Sequence, residues 1–218
     1  MVYVLHLSDL HIGKNNDSSE NRNTRIIVDY LCSRYKEFGK KLVVIITGDI
    51  VDDGEEAQYR NAVEILMPLA KMFKVLACPG NHDYGPCGNF YTEKAQALFK
   101  EYILDKLLNI PDAQDPNKKM EDLYPMVDRE PGVVFVGIDS VVGNEDEFAH
   151  FASGEVGSRQ RKELAKTLKT NSGSGNQIVV YFHHHPLHYR EGIAKPFMEM
   201  DDAEKARKAR KGRAGLIN

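Results

Sequence analysis

The sequence predicts an α/β fold, in which strands and helices alternate along the chain. Short runs of apolar, mostly β-branched residues are separated by segments whose apolar residues recur at helical spacing. The clearest run, 42–46 (LVVII), has no polar interruption and ends at Thr47 and Gly48. Such a run is typical of a strand that is buried on both faces, as the strands of parallel sheets are. Helices between successive strands predict crossover connections, which make those strands parallel neighbours.

Each predicted element rests on one of these two patterns. Strands are predicted at 2–7, 42–46, 74–78, 133–138 and 177–182, with an edge strand at 123–129 and the start of a strand at 215–218. Helices are predicted at 25–38, 55–72, 90–108, 158–168 and 201–213, and loops at 13–24, 109–120, 143–153 and 171–176. Pro125 interrupts the edge strand, and Pro68 is expected to bend the second helix. The chain is expected to form a single domain over residues 1–218.

The composition is that of an ordinary globular protein and gives little support to a polyanionic partner. Of the 218 residues, 42% are hydrophobic and 28% are charged, and the formal net charge is −3. No overall positive field therefore attracts nucleic acid or an anionic membrane. The basic segment 201–213 (DDAEKARKARKGR) is compatible with nucleic-acid binding, but acid–base pairs such as Asp201–Lys205 favour a solvated helix face.

No segment of the chain predicts a membrane or a secretory pathway. No apolar run approaches the roughly 20 residues that a membrane helix needs. The first residues, MVYVLHLSDLH, lack a basic region and a small-residue cleavage site, so they do not form a signal peptide. Cys32, Cys78 and Cys87 are odd in number and lack the spacing of metal ligands. They are expected to be reduced thiols, which indicates a cytoplasmic protein without a membrane partner.

Polar side chains follow the first strand at the point where it ends. Asp9 and His11 are two residues apart, and residues i and i+2 of a strand project from the same face. A carboxylate and an imidazole at this spacing can hold one divalent ion. The alternative is a polar strand end without a chemical role.

Asp49 follows the second strand at a glycine turn, and another polar group follows the strand 74–78. In open α/β sheets, ligands bind outside the carboxyl ends of the strands, so Asp49 lies where chemistry is usual. The group at 81–83 (NHD) comes after a Pro-Gly pair, and by itself it is also typical of a turn followed by an Asx cap. Because it is the third strand end in a row with such residues, the sequence favours a shared site.

Three consecutive histidines, His183, His184 and His185, end the strand at 177–182. A stack of structural histidines is the alternative, but imidazoles at the end of an apolar strand favour a ligand role for at least one of them. With the carboxylates and the amide above, they form a mixed oxygen and nitrogen donor set that suits Mn, Fe or Zn. Asp49 has two carboxylate oxygens and can bridge two such ions.

A pair of metal ions ~3.5–4 Å apart is a recurrent device for in-line displacement at phosphorus. The expected reaction is hydrolysis of a phosphoester, in which a metal-bound hydroxide attacks phosphorus and a histidine protonates the leaving oxygen. The expected cofactors are therefore two divalent ions, Mn, Fe or Zn.

Four motifs, in this order, resemble those of the calcineurin-like metallophosphoesterases. They are Asp9-x-His11, Gly48-Asp49-x-x-Asp52, Gly80-Asn81-His82-Asp83 and a later His-x-Pro at His184 and Pro186. The text around the first two, HLSDLHIG and ITGDIVDD, is most similar to bacterial members near the cyclic nucleotide phosphodiesterases, and DLHIG also resembles DNA nucleases of the SbcD type. The resemblance implies a four-layer α/β/β/α sandwich of two mixed sheets flanked by helices.

The resemblance also implies a role for each matching residue. Asp9 and His11 are implied to hold the first ion, Asn81 and His184 are implied to hold the second, and Asp49 is implied to be shared by both. His82 is implied as the general acid or a phosphate ligand, oriented by Asp83. Asp52 is implied to fix the turn or a ligand histidine. His183 and His185 are alternatives to His184, because the register of the strand decides which imidazole faces inward.

One family motif, Gly-His-x-His, has no counterpart in residues 187–218. Its two histidines would supply one further ligand to each ion. We therefore expect a metallophosphoesterase domain that is incomplete at its carboxyl end, either by truncation or by natural loss of the motif. Such a chain is expected to hold its metals more weakly than one that carries the motif. The implied substrate is a small phosphoester, most of all a small phosphodiester such as a cyclic nucleotide. The alternatives are DNA cleavage, which the negative net charge disfavours, and a non-catalytic scaffold that has lost its metal site.

Overall fold

A computed structural model describes residues 1–88, 90–141, 154–171, 173 and 175–186, together with the backbone of 214–217. The strands in this part are β1 (Tyr3–Leu7), β2 (Leu42–Thr47), β3 (Lys74–Cys78), β4 (Met126–Glu130), β5 (Val133–Gly137), β6 (Gln177–Tyr181) and β7 (Ala214–Ile217). The helices are α1 (Ser19–Arg34), α2 (Glu56–Met72), α3 (Glu93–Leu98), α4 (Met120–Leu123) and α5 (Gly157–Asn171). A π-helical segment, Phe99–Leu107, continues α3, and 3-10 turns occupy Lys36–Lys41, His82–Tyr84, Pro86–Gly88 and Pro111–Gln114.

The first sheet has the strand order β1-β2-β3, and both of its strand pairs are parallel. All six residues of the central strand β2 are buried, as its unbroken apolar sequence predicts. Helices α1 and α2 are the crossover connections of this sheet, and they contribute residues such as Val28 and Ile65 to the same apolar core as β2. Because the three strands are parallel, their carboxyl ends meet at one edge.

The second sheet has the order β4-β5-β6-β7, in which β4 is antiparallel to β5 and the other pairs are parallel. Alternate residues of β5 face opposite sides, as the period of a strand requires. Val134 and Val136 pack in a cluster with Leu164 and Leu168 of α5, whereas Phe135 belongs to the core of the first sheet. The layers are therefore α1 with α2, the first sheet, the second sheet and α5.

This architecture confirms the predicted α/β/β/α sandwich. The second sheet is mixed, as expected, while the first is parallel in both of its described pairs. Strand β7 agrees with the strand that was expected to begin near residue 215. The predicted helix 201–213 and the predicted loop 143–153 lie outside the described residues.

Several helix and strand ends differ from the prediction for local reasons. Helix α1 begins at Ser19 rather than at residue 25, because the Ser18 side chain accepts a hydrogen bond from the backbone N–H of Asn21 and caps it. The predicted helix 90–108 is split into α3 and the π-helical segment. Strand β4 begins only after Pro125, whereas α2 continues without a break through Pro68.

Candidate metal centre

The loops after β1 and β2 are joined by backbone hydrogen bonds beyond the ends of the strands. Asp9 N–H donates to the carbonyl of Gly48 at 3.2 Å, and His11 N–H donates to the carbonyl of Asp49 at 2.9 Å. The parallel pairing therefore continues, in a looser form, into the polar residues. As a result, the first two predicted motifs lie side by side at the carboxyl edge of the first sheet.

Three predicted ligands have left-handed backbone conformations. The φ angles are 55° at Asp9, 45° at His11 and 50° at Asp49. Asp and His adopt this region more readily than most residues, yet a non-glycine residue there usually costs about 1–3 kcal/mol. Such strain persists where the surrounding structure over-determines it, and it collects at functional sites.

Two glycines allow the loop after β2 and the loop after β3 to contact each other. A Cβ at Gly48 would lie 2.6 Å from the backbone nitrogen of Gly80, and a Cβ at Gly80 would lie 2.3 Å from Asp49 Oδ1. Both contacts are shorter than real Cβ atoms make. The glycines of the predicted motifs thus bring Asp49 against the loop that carries Asn81 and His82.

Asp49 is the central residue of the site. Its side chain is buried, with 4% of the residue exposed. Oδ1 accepts a hydrogen bond from the backbone N–H of His82 at 3.0 Å. Oδ2 lies 3.4 Å from Nε2 of His183 and 3.8 Å from Nε2 of His11. One carboxylate therefore contacts residues from three different chain segments.

Asp49 belongs to two groups of ligand atoms that lie within 4.8 Å of one another. The first group is His11, Asp49 and His82, and the second is Asp9, Asp49 and His183. The rings of His11 and His82 are edge to face, with their centroids 4.7 Å apart. Each group combines carboxylate oxygen with imidazole nitrogen, which are the donors that Mn, Fe and Zn accept. These residues fit two divalent ions that share Asp49.

The three imidazoles of these groups are oriented in the same way. The Nδ1 atom of His11 lies 3.2 Å from Asp52 Oδ1, that of His82 lies 2.6 Å from the Asp52 carbonyl oxygen, and that of His183 lies 2.8 Å from the Thr47 carbonyl oxygen. Because carboxylate and carbonyl oxygens only accept, each Nδ1 carries the hydrogen. A neutral ring then has its lone pair on Nε2, as a metal ligand requires.

Asn81 presents its side-chain oxygen to the second group. Its amide nitrogen donates to the Gly88 carbonyl at 3.2 Å, which fixes the orientation of the amide. Its Oδ1 lies 3.1 Å from His183 Nε2. The predicted ligand Asn81 therefore lies beside Asp49 and His183, with the correct atom facing them.

Asp49 and His183 form an ion pair in the structure. Burial opposes the charge of Asp49, but the hydrogen bond and charge of His183, together with His82, lower the pKa of this carboxyl below its usual value. Burial likewise opposes the charge of His183, but its hydrogen bond and attraction to Asp49 raise the pKa of this imidazole to about 9. A metal cation would replace the imidazole proton as the partner of Asp49, because only the neutral ring binds metal.

The resemblance implies that Asp83 orients the ring of His82, but in the structure Asp83 binds backbone groups instead. Its Oδ1 accepts from Val51 N–H at 3.0 Å and its Oδ2 accepts from Gly80 N–H at 2.8 Å. Burial and the nearby charge of Asp49 raise the pKa of the Asp83 carboxyl to about 7. The Asp83 carboxyl joins the loop after β2 to the loop after β3, while the Asp52 carbonyl orients the ring of His82.

His184, the member of the histidine run that was predicted to be a ligand, does not lie with these groups. Its Nδ1 is 2.8 Å from Ser140 Oγ, and the ring is buried at the end of the second sheet. His183, which was an alternative, takes the place beside Asp49. The contacts of Ser140 and of the Thr47 carbonyl with these histidines could not be predicted from the sequence, because their partners come from distant segments.

The comparison with protein families agrees with the arrangement of these motifs. The sequence model of one family, described as calcineurin-like phosphoesterase, matches residues 2–208. The chain belongs to the calcineurin-like phosphoesterase family. This result confirms the resemblance that the four motifs indicated.

Two curated relatives are both described as probable cyclic nucleotide phosphodiesterases. The protein from Vesicomyosocius okutanii subsp. Calyptogena okutanii (strain HA) is 31% identical over 113 residues, which is 51% of this chain and 46% of that protein. The protein from Xenorhabdus bovienii (strain SS-2004) is 25% identical over 188 residues, which is 84% of this chain and 63% of that protein. The chain thus spans less than two thirds of the length of either relative.

A solved structure supports the fold. A dimetal phosphatase from Danio rerio matches with a TM-score of 0.61 and 16% sequence identity, and the match covers 95% of this chain and 77% of that chain. At this identity the likeness concerns the fold alone. Separately, no helix within the described part of the chain combines the length and the apolar character needed to cross a bilayer.

Proposed function

We propose that this family member hydrolyses a small phosphodiester, such as a cyclic nucleotide, with the help of two divalent metal ions. The observation that carries the proposal is the shared carboxylate of Asp49, which belongs to two groups of candidate ligand atoms. A carboxylate common to two cation sites suits a dinuclear centre, in which two ions lie close together. The two relatives described as probable cyclic nucleotide phosphodiesterases support a cyclic nucleotide as substrate.

The proposed ligands come from the two groups around Asp49 and from the adjacent amide. Asp9, Asp49, His183 and Asn81 would hold one ion, and His11 with Asp49 would hold the other. Asp9 and His11, whose spacing predicted a shared ion, are thus assigned to different ions. His183 replaces the originally predicted His184 in this set, because it is the imidazole that contacts Asp49. When bound, such ions polarise a phosphoryl oxygen and activate a water molecule.

His82 is the proposed proton donor. Its Nδ1 is fixed by the Asp52 carbonyl at 2.6 Å, so its Nε2 is directed away from that carbonyl. His82 lies in the first group with His11 and Asp49, and in this proposal its ring donates a proton and does not bind an ion. A protonated Nε2 in this position would bind a phosphoryl oxygen and deliver a proton to the leaving alkoxide. The ring is held by backbone, so its orientation does not depend on substrate.

The substrate proposal also uses the charge of the chain. A net charge of −3 gives no general attraction for a polyphosphate backbone. A small phosphodiester requires only local neutralisation of one phosphate, which two divalent ions provide. Cleavage of DNA and binding without catalysis are the outcomes against which the following experiment discriminates.

The experiment measures hydrolysis of bis(p-nitrophenyl) phosphate with added Mn²⁺, in the unmodified chain and in Asp49→Asn. The proposal predicts activity that Asp49→Asn lowers by more than roughly 100-fold, beyond the 10–100-fold typical of a residue that only orients a ligand. Asp29→Asn is the matched control, because Asp29 is exposed on α1. Activity equal in all three proteins, or absent in all three, would reject the proposed centre.

A second assay identifies the substrate class. Cyclic AMP, cyclic GMP and a DNA duplex are compared at low and high salt. The proposal predicts turnover of a cyclic nucleotide with little dependence on salt. Preferential cleavage of DNA that weakens steeply with salt would instead support a nuclease, since phosphate contacts release counterions.

A further inference from the structure

Three consecutive imidazoles follow β6, and the first two lie in a bend beyond the end of the strand. Neighbouring side chains point in different directions, so a shift of one residue along the chain would exchange the places of His183 and His184. In the structure His183 faces Asp49. The rings of His183 and His184 are nearly perpendicular, with an interplanar angle of 81°. Because the side chains are identical, the choice between them must come from another part of the chain.

The contact that makes this choice comes from the end of β5. Strands β5 and β6 are parallel, with Gly137 opposite Tyr181, and the same register beyond both strands places Ser140 beside His184. Ser140 Oγ is 2.8 Å from His184 Nδ1 and accepts a hydrogen bond from the His184 backbone N–H at 3.3 Å. Ser140 is 0% exposed and His184 is 3% exposed. One hydroxyl therefore holds both the ring and the backbone.

Ser140 is itself firmly anchored. Its carbonyl accepts a hydrogen bond from Glu155 N–H at 2.8 Å. The backbone of the preceding residue, Asp139, is bonded twice to the Gln160 side chain, at 3.0 and 2.7 Å. The Asp139 carboxylate accepts from the Tyr84 hydroxyl at 2.7 Å. The anchor is thus fixed by α5 and by the loop after β3, independently of the histidine run.

The pocket around His184 is shaped for its ring. A Cβ at Gly154 would lie 2.3 Å from two ring atoms, so glycine is required there. Burial lowers the pKa of this imidazole to about 3, which keeps the ring neutral. Its Nε2 has no hydrogen-bond partner among the described residues, and an unpaired buried polar atom is destabilising. The ring occupies this pocket despite that cost.

We infer that Ser140 and His184 are positioning residues, whose contact holds His184 away from Asp49 and thereby directs His183 into the metal centre. The consequence for metal binding rests on the proposed function, but the placement of the rings does not require an ion. Neither residue belongs to the two ligand groups, so the pair acts through His183.

The placement is tested by NMR without added metal. Protein labelled with ¹⁵N-histidine gives ring signals for each imidazole, and the spectrum of His183→Ala identifies those of His183. In Ser140→Ala the inference predicts that the signals of both His183 and His184 shift or split, because two ring placements become accessible. If the His183 signals stay unchanged while those of His184 move, the inference is overturned. Ser140→Cys is read in the same way should Ser140→Ala not fold.

The consequence is tested by titration with Mn²⁺ and a double-mutant cycle. Ser140→Ala is expected to raise the dissociation constant for Mn²⁺ roughly tenfold or more, the effect of losing a residue that orients a ligand. His183→Ala should then cause a smaller loss in the Ser140→Ala background than in the unmodified chain. Additive effects would contradict a role exerted through His183.

The control is Thr24→Ala, which also removes a buried hydroxyl. Thr24 Oγ1 donates to the Glu20 carbonyl within α1, far along the chain from the histidine run. If Ser140 has a purely structural role, Ser140→Ala and Thr24→Ala should have the same Mn²⁺ affinity when their losses of stability are equal. If the unmodified chain binds no Mn²⁺, the proposed function fails, and the NMR spectra still decide the ring placement.

Discussion

The two halves of the candidate site are built in different ways. At the carboxyl edge of the first sheet, polar groups come from three adjacent parallel strands and are joined by backbone hydrogen bonds such as His11 N–H to the Asp49 carbonyl. At the end of β6, three identical side chains compete for one place, and Ser140 from another strand decides between them. Position relative to a strand end therefore locates a functional group, whereas the direction of its side chain depends on tertiary contacts.

The sharpest test of this contrast compares His183→Ala with His184→Ala. His183→Ala should weaken Mn²⁺ binding by roughly 100-fold, because a ligand beside Asp49 is lost rather than a residue that orients one. His184→Ala should weaken binding less but lower the free energy of unfolding by about 2 kcal/mol, because removing a buried ring leaves a cavity. Calorimetric titration and urea unfolding measure the two effects. A larger loss of Mn²⁺ affinity in His184→Ala than in His183→Ala would show that His184 is the ligand.

The part of the site at the carboxyl edge of the first sheet can be distorted by a substitution that removes no candidate ligand. In Gly80→Ala the new Cβ would lie 2.3 Å from Asp49 Oδ1, so the carboxylate or the loop must move. We expect a roughly tenfold loss of Mn²⁺ affinity and a loss of stability of about 1–3 kcal/mol, as for other overpacked positions.

The control for this change is Gly173→Ala. A Cβ at Gly173 would meet no atom of the described residues within 4 Å, so neither affinity nor stability should fall. Equal Mn²⁺ affinity in Gly80→Ala and the unmodified chain would show that the close approach of Asp49 to the loop after β3 is not needed for binding.

The sequence was informative where chemistry and secondary structure reinforced each other. The β-branched runs located the strands, and Asp9, His11, Asp49 and Asn81 were placed together because each follows a parallel strand. The role of Asp83 was not accessible, since its partner Val51 lies in a different loop. The early start of α1 was missed although Ser18 is a suitable cap, because the apolar stripe begins later.

A further expected effect concerns Asp139, the residue before Ser140, and changes only how stability depends on pH. Burial raises the pKa of the neighbouring Asp139 carboxyl to about 6, from an ordinary value of 3.8. A carboxyl with a raised pKa binds more protons in the folded state, so its contribution to stability is greatest at low pH and is lost as the pH rises through 6. Asp139→Asn should remove this dependence, which amounts to about 2 kcal/mol between pH 4 and 7.

Urea unfolding of the unmodified chain and of Asp139→Asn at several pH values measures this difference. The variant should gain stability relative to the unmodified chain as the pH rises, while contributions from all other carboxylates cancel between the two proteins. A difference that does not change with pH would mean that Asp139 ionises normally inside the fold.

The most direct measurement of the central claim is the crystal structure of the chain soaked in Mn²⁺, with anomalous scattering recorded at the Mn edge. We predict two anomalous peaks that share the Asp49 carboxylate, one of them also contacting His183. A single peak away from Asp49, or Asp49 turned away from both groups with no peak between them, would contradict the account.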